Sequence, residues 1–318
     1  MQSKVTIAIP TLNRSTFLRI ALASAFAQSY NSLEVVVSNN ASTDDTANLL
    51  ASISDHRLRV LSQPNTISMM ENWNMCLSAA TGEYFLLLSD DDELAPRAIE
   101  EMVSVFQNDE SSGDKIGFVY CSGSVIDGDG KTLSFGHEAP SEESAVEIIS
   151  AFFKGKRSTW ACAILFRRED LAPGYDMRFP LMADAAQWIR VAALYGSVRF
   201  VNRRLTRYRM HQNATLQTRI ALWHKDVTAV SEFAIHELRR SGNAVADISQ
   251  PIRESVRRMN SGLTADFINQ SLRHDKVGAF KEYWEYRRMF MSPWGILVLV
   301  RGLLLLVLPN FVRIWLRR

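Results

Sequence analysis

Ser89-Asp90-Asp91-Asp92 closes the apolar run Tyr84-Phe85-Leu86-Leu87-Leu88. Three adjacent carboxylates repel one another, and burying them beside a strand is unfavourable unless a cation or a cationic ligand stabilises them. Hard oxygen donors at a strand tip suit Mg²⁺ or Mn²⁺, ions that usually bridge one or two carboxylates to substrate phosphates. The expected chemistry is a metal–phosphate site at the C-terminal edge of a parallel sheet, where open α/β sheets bind ligands. The competing reading is a polar loop in which Asp92 or Glu93 caps a helix beginning near Pro96.

The elements that must position these acids are legible upstream. Val5-Thr6-Ile7-Ala8-Ile9 is an apolar, β-branched run stopped by Pro10, and reads as a buried strand. A polar loop, Thr11 to Ser15, precedes a helix with Leu18, Leu22 and Phe26 at helical spacing. Leu33–Val37 is a second strand, ending in the polar loop Ser38–Asp44; Leu58–Leu61 is a third; Met69–Ala80 is helical, and Gly82 closes it before the acid-tipped strand. This β-α-β-α-β-α-β order predicts a mostly parallel sheet with right-handed crossovers. Three polar loops then converge on one sheet edge: Thr11–Arg14, Ser38–Asp44 and Ser89–Asp92.

Further strands are expected at Ile116–Tyr120, Ser124–Ile126, Trp160–Phe166 and Leu205–Met210, and a helix over Asp184–Tyr195. Asp127-Gly128-Asp129-Gly130 resembles the start of a calcium loop, but Lys131 and Thr132 stand where that loop needs a ligand and a glycine, so it reads as a hairpin turn. From Arg219 to Met291 the pattern is helical and charged, with breaks at Ser241-Gly242 and Pro251. The expected organisation is a nucleotide-binding domain over 1–218, a helical region over 219–291 and an apolar, basic tail over 292–318.

Composition sets the bounds. With 318 residues, 47% of them hydrophobic, the chain can bury a core, and a net charge of +2 gives no basic balance for nucleic acid. Cys76, Cys121 and Cys162 are isolated, without a CxxC pair, which argues against a zinc site or a disulfide framework and for reduced core thiols. The sequence enters a strand at Val5 without the apolar region of a signal peptide, so a cytosolic location is expected.

Val5–Arg14 (VTIAIPTLNR), Glu34–Thr46 (EVVVSNNASTDDT), Gly82-Glu83-Tyr84 and Ser89–Pro96 (SDDDELAP) resemble, in order and spacing, the family 2 glycosyltransferases. The resemblance covers roughly residues 4 to 215 and implies a GT-A-type α/β fold, a mostly parallel sheet flanked by helices with a helical C-terminal region. It further implies transfer of a sugar from a nucleotide-diphosphosugar, with inversion at the anomeric carbon and a divalent cation. By this resemblance Pro10, Thr11, Asn13 and Arg14 line the base and ribose of the donor. Asn39 and Asn40 stand where most members carry two Asp; an Asn carbonyl still accepts a base N–H, but its NH₂ also donates, which leaves the base identity open. Asp91 matches the direct metal ligand and Asp90 the ribose-facing acid, while Ser89 replaces the first Asp of many members, so Asp92 shares the metal load. Asp184, ahead of a helix, matches the general base. Tyr208-Arg209-Met210-His211 resembles a late motif whose Arg209 or His211 reaches the diphosphate or metal.

The chemistry is coherent on its own terms. A metal acting as Lewis acid neutralises the leaving diphosphate. The attacking hydroxyl must lose its proton to a positioned carboxylate or His. A base on the face opposite the leaving group gives inversion by geometry. Apolar neighbours in Met182-Ala183-Asp184-Ala185 would raise the Asp184 pKa toward a useful range, although Asp184 could instead cap the helix that follows. His211 reads as a metal or phosphate contact or as a surface histidine at a strand end. Asn65 and Asn74 are candidate donor contacts, with Asn74 equally a helix-face residue. Trp160 is either the wall of an acceptor pocket or a core aromatic.

Trp294–Leu308 is the most apolar stretch, interrupted by Arg301 and followed by Pro309-Asn310, and it is shorter than the ~20 residues a span needs. Trp294, Trp315 and flanking Arg residues suit a headgroup layer, so 294–318 is expected to dock the chain on the cytoplasmic face of the inner membrane. A polyprenyl-linked or other lipid-linked glycan acceptor follows, with a UDP- or dTDP-sugar as donor and cell-surface polysaccharide synthesis as the setting. The alternatives are a non-catalytic nucleotide-sugar-binding partner, against which intact Asp90, Asp91 and Asp184 argue, and a sugar-nucleotide nucleotidyltransferase, which would need a Gly-rich, basic first loop in place of Pro10–Arg14.

Overall fold

The computed structural model describes residues 2–112, 115–157, 159–210, 220–242 and 248–274. The first half alternates as expected. Strands β1 (Val5–Thr11), β2 (Leu33–Asn39), β3 (Leu58–Ser62) and β4 (Tyr84–Leu87) are separated by helices α1 (Ser15–Phe26), α2 (Thr46–Ala51) and α3 (Met69–Ala79). All four strands are parallel, with β1 in the middle: Val5 pairs with Leu33 on one side and with Tyr84 on the other. Both faces of β1, β2 and β4 are covered, which is why these strands read as continuous apolar runs.

The second half completes a mixed sheet. It contains β5 (Glu93–Leu94), α4 (Ala98–Ser112), β6 (Phe118–Ile126), β7 (Thr132–Phe135), β8 (Glu142–Ser144), α5 (Ala145–Phe153), β9 (Ile164–Arg167), α6 (Ala183–Tyr195), β10 (Ser197–Arg209), α7 (Ile220–Arg240) and α8 (Ser249–His274). The sheet runs β3-β2-β1-β4-β9-β6-β10-β5, with β7 added to β6 and β8 to β10. β9 is antiparallel to both β4 and β6, and β5 is antiparallel to β10.

Strand pleating sends successive side chains to opposite faces, and two cores result. Ile7, Ile9, Val35, Val37 and Leu86 pack with Leu18 and Leu22 of α1, Leu49 of α2 and Met102 and Phe106 of α4. Ala8, Phe85, Leu87 and Phe118 pack with Cys76 of α3, Ile148 of α5, Trp188 of α6, Val230 and Leu238 of α7, and Ile252 of α8. The C-terminal helices therefore share the core of the sheet's second face.

Several elements differ from their expected bounds. The strands expected at Ile116–Tyr120 and Ser124–Ile126 are one strand, β6. The strand expected at Leu205–Met210 is the end of a much longer β10, whose register against β6 shifts between Val201 and Thr206, with Asn202, Arg203 and Arg204 exposed there. Trp160–Phe166 begins as a single 3-10 turn at Ala161–Ala163 before β9 starts. Pro251 does not break a helix; it lies in the first turn of α8, where a missing N–H has no cost. The Asp127–Gly130 turn is a hairpin, closed by Gly130 N–H donating to Asp127 O at 3.1 Å, with Gly130 at φ +84°.

Candidate active site

β1 lies between β2 and β4, so the loops leaving its C-terminal end and those of its neighbours diverge there and open a crevice. The loop after β1 and the loop after β2 are stitched together. Asn13, held at φ +54°, accepts from Thr43 N–H at 2.7 Å, and its own N–H donates to Ser42 Oγ at 3.0 Å. Asp44 Oδ2 accepts the first amide of α1, from Ser15, at 2.9 Å, and Oδ1 accepts from Thr46. Burial works to raise the Asp44 pKa, and the bonds from Thr46 and Ser15 override it and hold it at about 2.

The three acids after β4 take different places. Asp90 is buried and Asp91 is the more accessible of the two that face Arg14, with side chains 8% and 14% exposed. Arg14 Nη1 donates to Asp91 Oδ2 at 2.5 Å and to Asp90 Oδ1 at 3.2 Å. Burial raises the Asp90 pKa to about 6; the Arg14 charge opposes this and the Asp91 charge adds to it. Asp92 lies beneath the loop at 1% exposure, its Oδ1 accepting from Arg209 N–H at 2.8 Å. Burial first, and then the Asp91 charge, push its carboxyl well up.

Asp92 and Arg209 are thus placed differently from the expectation that they meet metal and donor. The short β5 pairs antiparallel with β10, Glu93 opposite Arg207, and this draws the segment after Asp91 under the loop. The Arg209 guanidinium is 2% exposed. Its Nε donates to Asp91 O at 2.8 Å, its Nη1 to Asp127 O and Gly128 O at 3.0 and 3.1 Å, and its Nη2 to Glu93, while its plane lies over the Phe17 ring of α1. It clamps the acid loop to the β6–β7 hairpin. Arg207 reaches Glu93 from the other side, at 2.6 Å.

Asn39 is buried and accepts from Ser42 N–H at 3.0 Å. The Asn40 amide pins the loop before α3, donating to Ile67 O at 2.9 Å and accepting from Ile67 N–H at 2.8 Å. Pro10 and Thr11 end β1 and are buried, and Ser89 accepts from Asp92 N–H through its carbonyl at 3.1 Å. Asn65 is exposed in the segment between β3 and α3. Asn74 turns instead to the backbone of Tyr175, donating to its carbonyl at 3.0 Å and accepting from its N–H at 2.7 Å.

Asp184 sits in the first turn of α6, whose cap residue is Met182, so Asp184 is not the N-cap. Burial raises its pKa to about 6, against backbone hydrogen bonds from Ala185 and its own amide that lower it. Tyr208, which no sequence signal singled out beyond its place next to Arg209, feels both parts of the site: burial first, and then the charges of Asp92, Cys162, Asp91 and Asp184, push its hydroxyl pKa well up. Trp160 stacks on Tyr208 with ring centroids 5.2 Å apart and planes 6° from parallel. It is partly buried and packs against the edge of the first core. His211 and the tail 294–318 lie outside the described residues. Among the described residues no helix is long and apolar enough to cross a membrane.

Among the described residues no group of three or more His, Cys, Asp and Glu side chains could hold a metal alone. Asp90 and Asp91 nevertheless suit a shared site. Mg²⁺ and Mn²⁺ are commonly held by one or two carboxylates and completed by substrate phosphates, and both oxygens that Arg14 touches face the same cation.

The family model described as glycosyl transferase family 2 matches residues 6–171. Among curated proteins, an uncharacterized glycosyltransferase of Nostoc sp. is 22% identical over 94% of this chain and 88% of its own length. The putative glycosyltransferase EpsH of Bacillus subtilis is 25% identical over 67% of this chain and 62% of its own. Among solved structures, the mannosyltransferase PcManGT of Pyrobaculum calidifontis, in complex with GDP-Man and Mn²⁺, superposes with a TM-score of 0.60 at 17% identity, over 95% of this chain and 88% of that one. S. aureus TarS 1-349 in complex with UDP-GlcNAc gives 0.58 at 14% identity, over 90% and 91%. These structural likenesses carry the fold, a GT-A-type sheet with a helical C-terminal region.

Proposed function

Since this chain belongs to glycosyl transferase family 2, we propose that it is an inverting, metal-dependent transferase that moves a sugar from a nucleotide-diphosphosugar to a lipid-linked glycan acceptor. That it is a glycosyltransferase follows from the family. The finer reading rests on one observation above others: Asp184, partly buried in the first turn of α6, has its carboxyl raised to about 6, and its charge acts on Tyr208 together with those of Asp91 and Asp92.

In this reading the acceptor hydroxyl lies against Asp184, between the acid loop and the Trp160–Tyr208 stack. Its oxygen attacks the anomeric carbon as the proton passes to the Asp184 carboxylate, and the sugar–phosphate C–O bond breaks with its electron pair leaving on the nucleoside diphosphate. Attack opposite the leaving group inverts the anomeric carbon. A divalent cation shared by Asp91 and Asp90 supplies, when bound, Lewis-acid neutralisation of the diphosphate. Asp92 and Arg209 position that pair from below and do not touch the donor.

PcManGT binds GDP-Man and TarS binds UDP-GlcNAc. For this chain a UDP- or dTDP-sugar is the proposed donor. The apolar, Trp- and Arg-flanked stretch 294–318 supports docking on the cytoplasmic face of the inner membrane, where a lipid-linked acceptor and cell-surface polysaccharide synthesis would place the reaction. The test is product analysis with a lipid-linked acceptor. Nucleoside diphosphate together with an inverted glycoside supports the reading. Pyrophosphate, or retention at the anomeric carbon, overturns it.

A further inference from the structure

Arg14 stands at the N-cap position of α1 but makes no side-chain cap bond. Its side chain instead crosses to the acid loop, where a single nitrogen, Nη1, bridges Asp91 Oδ2 at 2.5 Å and Asp90 Oδ1 at 3.2 Å. Two neighbouring carboxylates, one buried and one partly buried, cannot both stay ionised cheaply without a cation between them. The bridging position that Arg14 takes is the one a shared divalent cation would need. Two cations cannot occupy it together, because like charges a few ångströms apart in a partly buried site repel strongly.

We propose that Arg14 is a resident counter-cation, which holds the Asp90–Asp91 pair until nucleotide binds, yields that place to the divalent cation, and transfers its own charge to the incoming diphosphate. The inference rests on the metal-dependent reading above. The Arg14 side chain is 30% exposed, against 8% and 14% for the two acids, so it lies on the solvent side of the pair and can leave without disturbing the loop beneath. A diphosphate offers the guanidinium charge-assisted, bidentate hydrogen bonds at least as good as those it gives up. The consequence is positive coupling: the nucleotide draws Arg14 away and tightens the metal, and by reciprocity the metal tightens the nucleotide. Before nucleotide binds, the competent site is populated only in the fraction of molecules with Arg14 swung out, and metal affinity falls by that fraction.

The experiment titrates Mn²⁺ into the full-length chain and reads free Mn²⁺ by its paramagnetic resonance signal, with no nucleotide, with UDP and with dTDP. Wild type is compared with Arg14→Met, Arg14→Gln, Arg14→Lys and Asp91→Asn, each checked by its thermal melt so that one neutral variant suffices if the other fails to fold. Without nucleotide, the neutral variants are expected to bind Mn²⁺ at least about tenfold more tightly than wild type, and Arg14→Lys to stay near wild type. A nucleoside diphosphate is expected to tighten Mn²⁺ at least about tenfold in wild type and much less in the neutral variants. Equal or weaker Mn²⁺ binding by the neutral variants, with nucleotide-enhanced binding intact in wild type and lost in Asp91→Asn, overturns the role of Arg14 and leaves the metal site standing. No Mn²⁺ binding by wild type or any variant, even with nucleotide, removes the metal reading and this inference with it.

Discussion

Asp184 and Arg209 have nearly opposite environments, and each makes its own prediction. Burial raises the Asp184 pKa from its ordinary 3.8 to about 6. A base must be deprotonated to act, so kcat/KM is expected to fall below about pH 6 along a single-proton limb. Asp184→Asn should lower kcat by roughly 10²–10⁴-fold and abolish that limb in a pH–rate profile. The stability sign runs the other way. Between about pH 4 and about pH 6 the folded chain holds more protons on this group than the unfolded chain, so its contribution declines as pH rises through that window, and the penalty is complete above it. Asp184→Asn removes the penalty, and its melting temperature at pH 7.5 should equal or exceed that of wild type. Arg209 is the contrary case, a buried cation with every visible bond directed to the acid loop and the hairpin turn. Arg209→Met leaves Glu93 and three loop carbonyls without this partner, and should cost on the order of 3–5 kcal/mol in urea unfolding. Arg209 was visible in the sequence as a residue of the site, but its direction was not. That direction depends on β5, a two-residue strand whose pairing with β10 no local pattern reveals.

Strands β1, β2 and β4 were readable because both of their faces are buried and they are punctuated by Pro10, Gly82 and polar loops. The later elements were harder for a definite reason. Asn202, Arg203 and Arg204 interrupt the apolar pattern of β10 at its register shift, so a strand from Ser197 to Arg209 reads as only its last few residues. The same pair of strands depends on Gly123. A Cβ there would lie 2.7 Å from Thr206 O and 2.8 Å from Cζ3 of Trp160. Gly123→Ala should therefore displace the Trp160–Tyr208 stack, lower the melting temperature by several degrees, and change tryptophan fluorescence. Unchanged fluorescence and an unchanged melt would show that the β6–β10 pairing tolerates the side chain. The Asn40 clamp on Ile67 is likewise long-range. Its sequence context places it at the donor, and only the packed loops show it binding the backbone ahead of α3.

For the molecule as a whole, one sheet carries two cores, and α7 and α8 extend the second of these beyond the residues that the family model matches. The proposal that 294–318 docks on lipid makes a direct prediction. The full chain should co-sediment with vesicles containing anionic lipid, and Trp294→Ala combined with Trp315→Ala should weaken this severalfold, because interfacial Trp residues anchor such segments. Equal partitioning of wild type and the double variant would place the anchor elsewhere. The central claim is that a family 2 transferase acts here through Asp91 and Asp184, and one assay reaches it most directly. Nucleoside-diphosphate release is measured from a panel of UDP-, dTDP- and GDP-sugars, with a lipid-linked acceptor and Mn²⁺ or Mg²⁺, for wild type, Asp91→Ala and Asp184→Asn. The account predicts metal-dependent, acceptor-dependent release from one donor, lost in both variants although each keeps a wild-type melt. Full release by Asp184→Asn, or release indifferent to both the metal and Asp91, would contradict it.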